Sequence, residues 1–302
     1  MAADHPAKLV KHCSTATAMR ILTTQALRWS APHLSSDPFE LNHQSQLTFD
    51  PHILLQSAIN AATAMIFAKD APRGSTPLPA AIRRWREEER FASPEEADEV
   101  LKELLSQMVD HRQLQIDKTM TDWRRFTRNL RICSFSSKPD NLTAWQHYAD
   151  GHRGVGLRFE SGENTSLEKP MMVEYKTVRP EITSLKQQLN AIMQGEKVTP
   201  QDHFYENLLT KPMFSRDEQE WRCFHNVPED LSSDSSDSSQ WFIDRKFERA
   251  ELSGVYFGAF TSAKDKRDIY DLVKEKYKQA QVFQAKVVSG KYEIEFVKVG
   301  KK

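Results

Sequence analysis

Two glutamates one residue apart, Glu218 and Glu220 in "KPMFSRDEQEWRCF" (Lys211 to Phe224), are the residues of this chain best suited to do chemistry. In an extended segment they share one face, with Gln219 and Trp221 on the other. Carboxylates held side by side repel, so one of them takes a raised pKa unless a cation is close. Arg222 continues the same face and could be that cation. Such a group could orient hydroxyls or move protons. A solvated edge strand with an ordinary Glu/Arg pair would be spelled the same way.

A second candidate lies in "ICSFSSKPDNLTAWQHYADGHRGVGLRFE", Ile132 to Glu160. Strand alternation puts Ile132, Ser134 and Ser136 on one face and Cys133 and Phe135 on the other, so two hydroxyls point the same way. A short helix follows, for which Asp140 is the expected cap; Leu142, Trp145 and Ala149 form its stripe, with Tyr148 beside it. Core packing accounts for that stripe without any function.

Other clusters are weaker. Cys223 with His225, His147 with His152, and His203 lack the paired spacing of a structural zinc site. With 10 glycines and neither a Gly-x-Gly-x-x-Gly nor a Walker loop, phosphate cradles of those kinds are excluded. "RRWREEER", Arg83 to Arg90, reads as a self-paired helix face.

The elements that must position these groups follow from periodicity. "KLVKHC" and "ALRWSA" read as strands around the helix "TATAMRILTTQ". Residues 50 to 128 read as a helical insertion or lid, with breaks at Pro77 and Pro79 and a new helix start at Ser93-Pro94. Strand patterns return in "LRICSFSS", "GVGLRFE" and "MMVEYKT", then helices in "ITSLKQQLNAIMQG" and "TPQDHFYENLLT". Residues 228 to 240, "PEDLSSDSSDSSQ", read as a flexible acidic serine-rich loop. Beyond it come "ELSGVYFGAFT", the helix "SAKDKRDIYDLVKEKY" and two strands turned at Ser289-Gly290. The expectation is one α+β domain over 1–302, with a mixed, largely antiparallel sheet and the insert at 50–128.

Bulk composition fits. In 302 residues, 39% are apolar, enough for a sizeable core, and 42 Lys plus Arg balance 42 Asp plus Glu, so no global field would hold a polyanion. Three scattered cysteines suit a reducing compartment, and no stretch reads as a signal peptide or membrane span. The expectation is a soluble, cytoplasmic protein.

Several stretches together resemble a bacterial domain family of unknown function. They are "SSDPFE" at 35 to 40, "CSFSS" at 133 to 137, "AWQHYADGHRGVGLRFE" at 144 to 160, "VEY" at 173 to 175, "TKPMFSRDEQEWRCF" at 210 to 224 and "GVYFG" at 254 to 258. Their order is in turn similar to that of ADP-ribosyltransferases: a basic or His residue on the first strand, a Ser-x-Ser strand, and a Glu-x-Glu near the last strands.

The resemblance implies a split sheet and NAD as substrate, with no metal. It gives Glu220 the stabilisation of positive charge at the nicotinamide ribose through its 2′-hydroxyl, and Glu218 the orientation or deprotonation of the acceptor. Ser134 or Ser136 would hold that ribose, and Tyr148 or Trp145 would wall the nicotinamide. His12, with Arg222 among the cofactor-binding residues, would meet the adenosine-side ribose or a phosphate. The sequence has "KHC" where the family has Tyr-Arg, so Lys11 is the alternative first-strand cation.

Three functions are therefore open. One is an NAD-dependent ADP-ribosyltransferase, of the toxin or anti-phage effector kind, acting on protein or nucleic acid. Another is a metal-dependent nuclease using Asp37, Glu40, Glu218 and Glu220 with Lys211. The third is a non-catalytic sensor or interaction module.

Overall fold

The computed structural model describes residues 5–35, 37, 39, 47–70, 72, 76–232 and 236–300. The elements in chain order are β1 (Lys8–Cys13), α1 (Thr15–Thr24), β2 (Ala26–Ser30), α2 (Pro51–Phe67), α3 (Pro77–Glu87), α4 (Pro94–Arg128), β3 (Leu130–Ser136), α5 (Leu142–Tyr148) and β4 (Val155–Glu160). Then come β5 (Met171–Met172), β6 (Glu174–Lys176), α6 (Leu185–Gln194), α7 (Phe204–Leu208), β7 (Thr210–Pro212), β8 (Glu220–Asn226), β9 (Phe242–Lys246), β10 (Leu252–Phe257), α8 (Ala263–Lys276), β11 (Gln281–Val287) and β12 (Ile294–Lys298). This is an α+β fold with a mixed, largely antiparallel sheet and a large helical segment.

The chain divides into two compact units. One holds residues 1–42, 127–179 and 209–302, and the other residues 43–126 and 180–208, so the expected insert shares its unit with α6 and α7. Within the helical unit, Asp50 caps α2 by accepting from the Ile53 N–H. Pro77 and Pro79 fall in the first turn of α3, where a missing N–H costs nothing, and so they begin that helix rather than break it. Trp123 is buried there and meets Phe204 edge to face at 5.1 Å. Among the described residues no helix is long and apolar enough to cross a membrane.

The other unit carries the large sheet, in the order β12-β11-β10-β4-β1-β3-β2-β9. One face is a core in which α1 supplies Ala18, Ile21 and Leu22, α8 supplies Ile269 and Val273, and the strands supply Leu9, Phe135, Leu157, Phe159 and Val255. Apolar residues two apart on each strand make that face, as strand alternation requires. β10 and β11 run parallel because α8 connects them; the other neighbours in this sheet are antiparallel.

β3 is the centre of the topology. β8 pairs it along its whole length, from Leu130↔Asn226 to Ser136↔Glu220. That leaves one edge for two strands: β2 bridges it at Ser30↔Ile132 and β1 at Val10↔Ser136. Each then turns to another partner, β2 to β9 and β1 to β4, so the sheet forks with Ser134 at the fork. The Ser134 carbonyl lies between the two bridges and takes its hydrogen bond from Lys11 Nζ at 2.9 Å. The same ammonium sits 5.5 Å from the Phe135 ring centroid. A half-buried carbonyl stripped of that donor loses a charge-assisted bond, about 1.5–3 kcal/mol. Lys11→Met is therefore expected to lower unfolding free energy by about that amount in denaturant titration; an unchanged midpoint would mean the fork does not need this residue.

Candidate functional site

A cavity of about 570 Å³ opens at the fork. Its lining includes His12 from β1, Arg28 and Ser30 from β2, Ser134 and Ser136 from β3, Tyr148 from α5, Lys211 from β7, and Glu218 and Glu220. Register explains the meeting. Because Ser134 lies opposite Arg222 and Ser136 opposite Glu220, these four side chains stand on one face of the β3–β8 ladder. The Ser-x-Ser strand and the second glutamate thus do converge.

Glu218 arrives by a different route than strand alternation. Residues Met213–Glu218 form a 3-10 turn, Gln219 is left-handed at φ 46 and ψ 49, and β8 begins only at Glu220. The left-handed residue reverses the local path, which brings both carboxylates to one cation. The turn is pinned by Asn141, whose Nδ2 donates to the carbonyls of Asp217 at 3.0 Å and Glu218 at 2.7 Å. Its Oδ1 accepts from the Ala144 N–H at 2.9 Å, so Asn141, not Asp140, caps α5. At the start of β8 the Glu220 N–H donates to the Tyr175 hydroxyl at 2.9 Å, and burial pushes that phenol up to about 12.

The cation is Lys211. Its Nζ lies 2.5 Å from Glu218 Oε2 and 3.1 Å from Glu220 Oε2, and its side chain is only 4% exposed. Arg222, fully buried, grips Glu220 from behind with Nε to Oε1 at 2.8 Å and Nη2 to Oε2 at 3.0 Å. Two negative and two positive side chains thus form a neutral buried quartet. Tyr148 adds a bond from its hydroxyl to Glu218 Oε2 at 3.2 Å.

The electrostatic directions follow from this packing. Burial raises the Glu220 pKa and Glu218 adds to the rise, while Lys211 and the Ser134 hydroxyl oppose it. Burial alone would lower Lys211, but Glu220, Tyr148 and Glu218 outweigh it and hold the ammonium above its ordinary range. Arg222 is pushed down to about 9 by burial, which still leaves it charged at neutral pH.

The remaining expected residues separate into lining and backing. Ser134 is half-buried, whereas Ser136 spends its hydroxyl on the Lys138 carbonyl at 3.2 Å. Trp145 does not wall the cavity: it is fully buried, donates Nε1 to the Pro139 carbonyl at 2.6 Å and packs edge-on against His12 at 5.0 Å. It is the floor beneath His12. Arg222 likewise stands behind Glu220 and outside the lining. His12 is 6% exposed, and burial drives its pKa down to about 4, with Lys11 adding, so the ring is neutral. Neither first-strand residue offers a free cation, since Lys11 is engaged at the fork.

Lys211 entered the sequence reading only through the nuclease alternative; Tyr175, Asn141 and Arg28 entered in no role. Their signal was faint, because the turn that brings Lys211 to the glutamates has no periodicity to read. For the nuclease reading, Lys211 occupies the space between the two carboxylates that a divalent ion would need. Glu40, its fourth acid, lies outside the described residues, as do positions 233–235 of the acidic loop. Among the described residues no cluster of three or more His, Cys, Asp or Glu side chains is arranged to hold a metal ion. All three cysteines are free and buried.

Compared with known proteins, the chain matches no family model, no curated protein and no solved structure.

Two outcomes are expected. Lys211→Met leaves two buried carboxylates with one cation and should cost about 3–5 kcal/mol at pH 7. Part of that loss should return at lower pH as one carboxyl takes up a proton, read by denaturant titration at several pH values. His12, with a folded pKa near 4 against an ordinary 6.5, contributes stability that is present above about pH 6.5 and lost as pH falls through 4. The difference amounts to about 3 kcal/mol. His12→Gln should flatten the acid limb of the stability profile by that amount, and an identical limb in both proteins would refute a buried neutral imidazole.

Proposed function

We propose that this protein is an NAD-dependent ADP-ribosyltransferase in which Glu220 accepts a hydrogen bond from the 2′-hydroxyl of the nicotinamide ribose. The observation that carries the reading is the convergence of Ser134, Glu218, Glu220 and Tyr148 on one forked-sheet cavity. Cleavage of the nicotinamide glycosidic bond develops positive charge on the ribose as the leaving base takes the bonding electrons. A carboxylate fixed beside the ribose in a low-dielectric cavity stabilises that charge more in the transition state than in the ground state.

Glu220 suits the role by its hydrogen bonds. A carboxylate offers about four acceptor positions; Arg222 Nε, Arg222 Nη2 and Lys211 Nζ take three, and the Ser134 hydroxyl bonds the group as well. A ribose hydroxyl would take over the place of the Ser134 hydroxyl. Arg222 and Lys211 hold the group immobile, which favours a preorganised site. Glu218 keeps Tyr148 and Lys211 on Oε2, leaving Oε1 to accept the proton of the incoming nucleophile. Ser134 at the fork would contact the ribose, with Tyr148 beside the nicotinamide. The acceptor would be a protein or nucleic acid, the classes that a transferase of the toxin or anti-phage effector kind modifies.

The test follows NAD consumption and transfer of labelled ADP-ribose to lysate protein or nucleic acid. Glu220→Gln should lower kcat by about 100- to 1000-fold, while saturating NAD still raises the melting temperature of the variant. A wild-type protein that neither consumes NAD nor is stabilised by it would sink this reading.

A further inference from the structure

The fork cavity does not end at β2. Arg28 and Phe242 line it and also line a neighbouring groove of about 380 Å³, whose other walls are Asp237, Ser238, Ser239 and Asp244. Two chambers therefore meet at one arginine. An exposed arginine ordinarily swings freely, but this one is fixed. Its Nε and Nη2 bond Asp244 Oδ1 and Oδ2, both at 2.9 Å, and its guanidinium carbon lies 5.0 Å from the Phe242 ring centroid. Asp244 takes one edge of the guanidinium and Phe242 stacks on it, while Nη1 has no partner among the described residues.

A guanidinium carries five N–H donors in a rigid fork that matches phosphate oxygens. Two are spent on Asp244, and the rest are available at the junction of the chambers. All three cations that line the fork cavity have partners, Lys11 the Ser134 carbonyl, Lys211 the two glutamates and Arg28 the Asp244 carboxylate, and what sets Arg28 apart is the N–H donors that Asp244 leaves unspent on its guanidinium. His12 is neutral. Of the two acids in the groove, Asp244 is neutralised by Arg28, and the Asp237 carboxylate accepts the Ser239 N–H at 2.9 Å.

We propose that Arg28, at the junction of the two chambers, is the binding group for the diphosphate of a nucleotide whose two ends occupy the chambers on either side. The inference deepens the transferase reading and rests on it only for the identity of the nucleotide. It moves the diphosphate contact from the first strand, where His12 and Lys11 are unable to supply it, to the second.

Calorimetry on the full chain, with ADP and adenosine as probes, tests it. Wild type should bind ADP at least about tenfold more tightly than adenosine, the effect of one charge-assisted phosphate contact. Arg28→Gln should erase that preference without weakening adenosine, and Arg28→Lys should restore part of it. Equal affinity for the two probes in wild type, no binding of ADP, or an ADP preference that survives Arg28→Gln would each overturn the proposal. If ADP behaves as expected while NAD is neither bound nor consumed, the transferase reading fails and the diphosphate site stands. If NAD is consumed and the ADP preference ignores Arg28, the transferase reading stands and this assignment falls.

Discussion

A strand has two edges, and β3 serves three neighbours. β8 takes one edge in full, so β1 and β2 must share the other, each touching it briefly before departing to a different partner. The cavity follows from that arithmetic: where two strands leave a third, backbone groups and side-chain space are left over between them. Open backbone groups inside a protein need partners, and Lys11 supplies one for Ser134. The opposite face stays closed because α1 and α8 pack across it with an apolar core. The fork can therefore be open on one side without dividing the sheet.

The quartet of Glu218, Glu220, Lys211 and Arg222 is the electrostatic counterpart of that opening. Each charge alone would be too costly at this depth, and together they cancel. The two cations are not equivalent. Arg222 gives a flat, two-point grip to one carboxylate, which fixes its plane, whereas Lys211 is a point charge shared between two. Such networks are seldom the most stabilising use of buried volume. Their presence in and behind the wall of a cavity is in keeping with a site where positioning outranks stability.

Much of this architecture was readable from residue order. The strands around Val10, Trp29, Phe135 and Leu157 and the helices from Thr15, Pro51 and Ala263 follow from periods of two and of 3.6. The common face of Ser134 and Ser136 follows from alternation alone. What alternation could not give was pairing, since nothing in "ICSFSS" states that "EWRCFH" lies opposite it. Nor could it place Glu218, because a 3-10 turn and a left-handed Gln219 replace the expected strand. Trp145 was misplaced for a related reason: an aromatic stripe looks the same whether it walls a pocket or supports one. The cap shifted from Asp140 to Asn141 because the side chain that caps α5 must also hold the Glu218 turn, and an amide can donate and accept where a carboxylate only accepts.

The left-handed Gln219 gives the two glutamates different mechanical status. Glu220 belongs to a ladder whose register is shared by strands on both sides, so its place is tied to the whole sheet. Glu218 sits on a single short turn fastened by Asn141 and Lys211. Residues Met213–Glu218 carry no rung of β8, which begins at Glu220. One carboxylate is thus placed by the pairing of the sheet and the other by a local turn, and the ammonium of Lys211 is what couples the two.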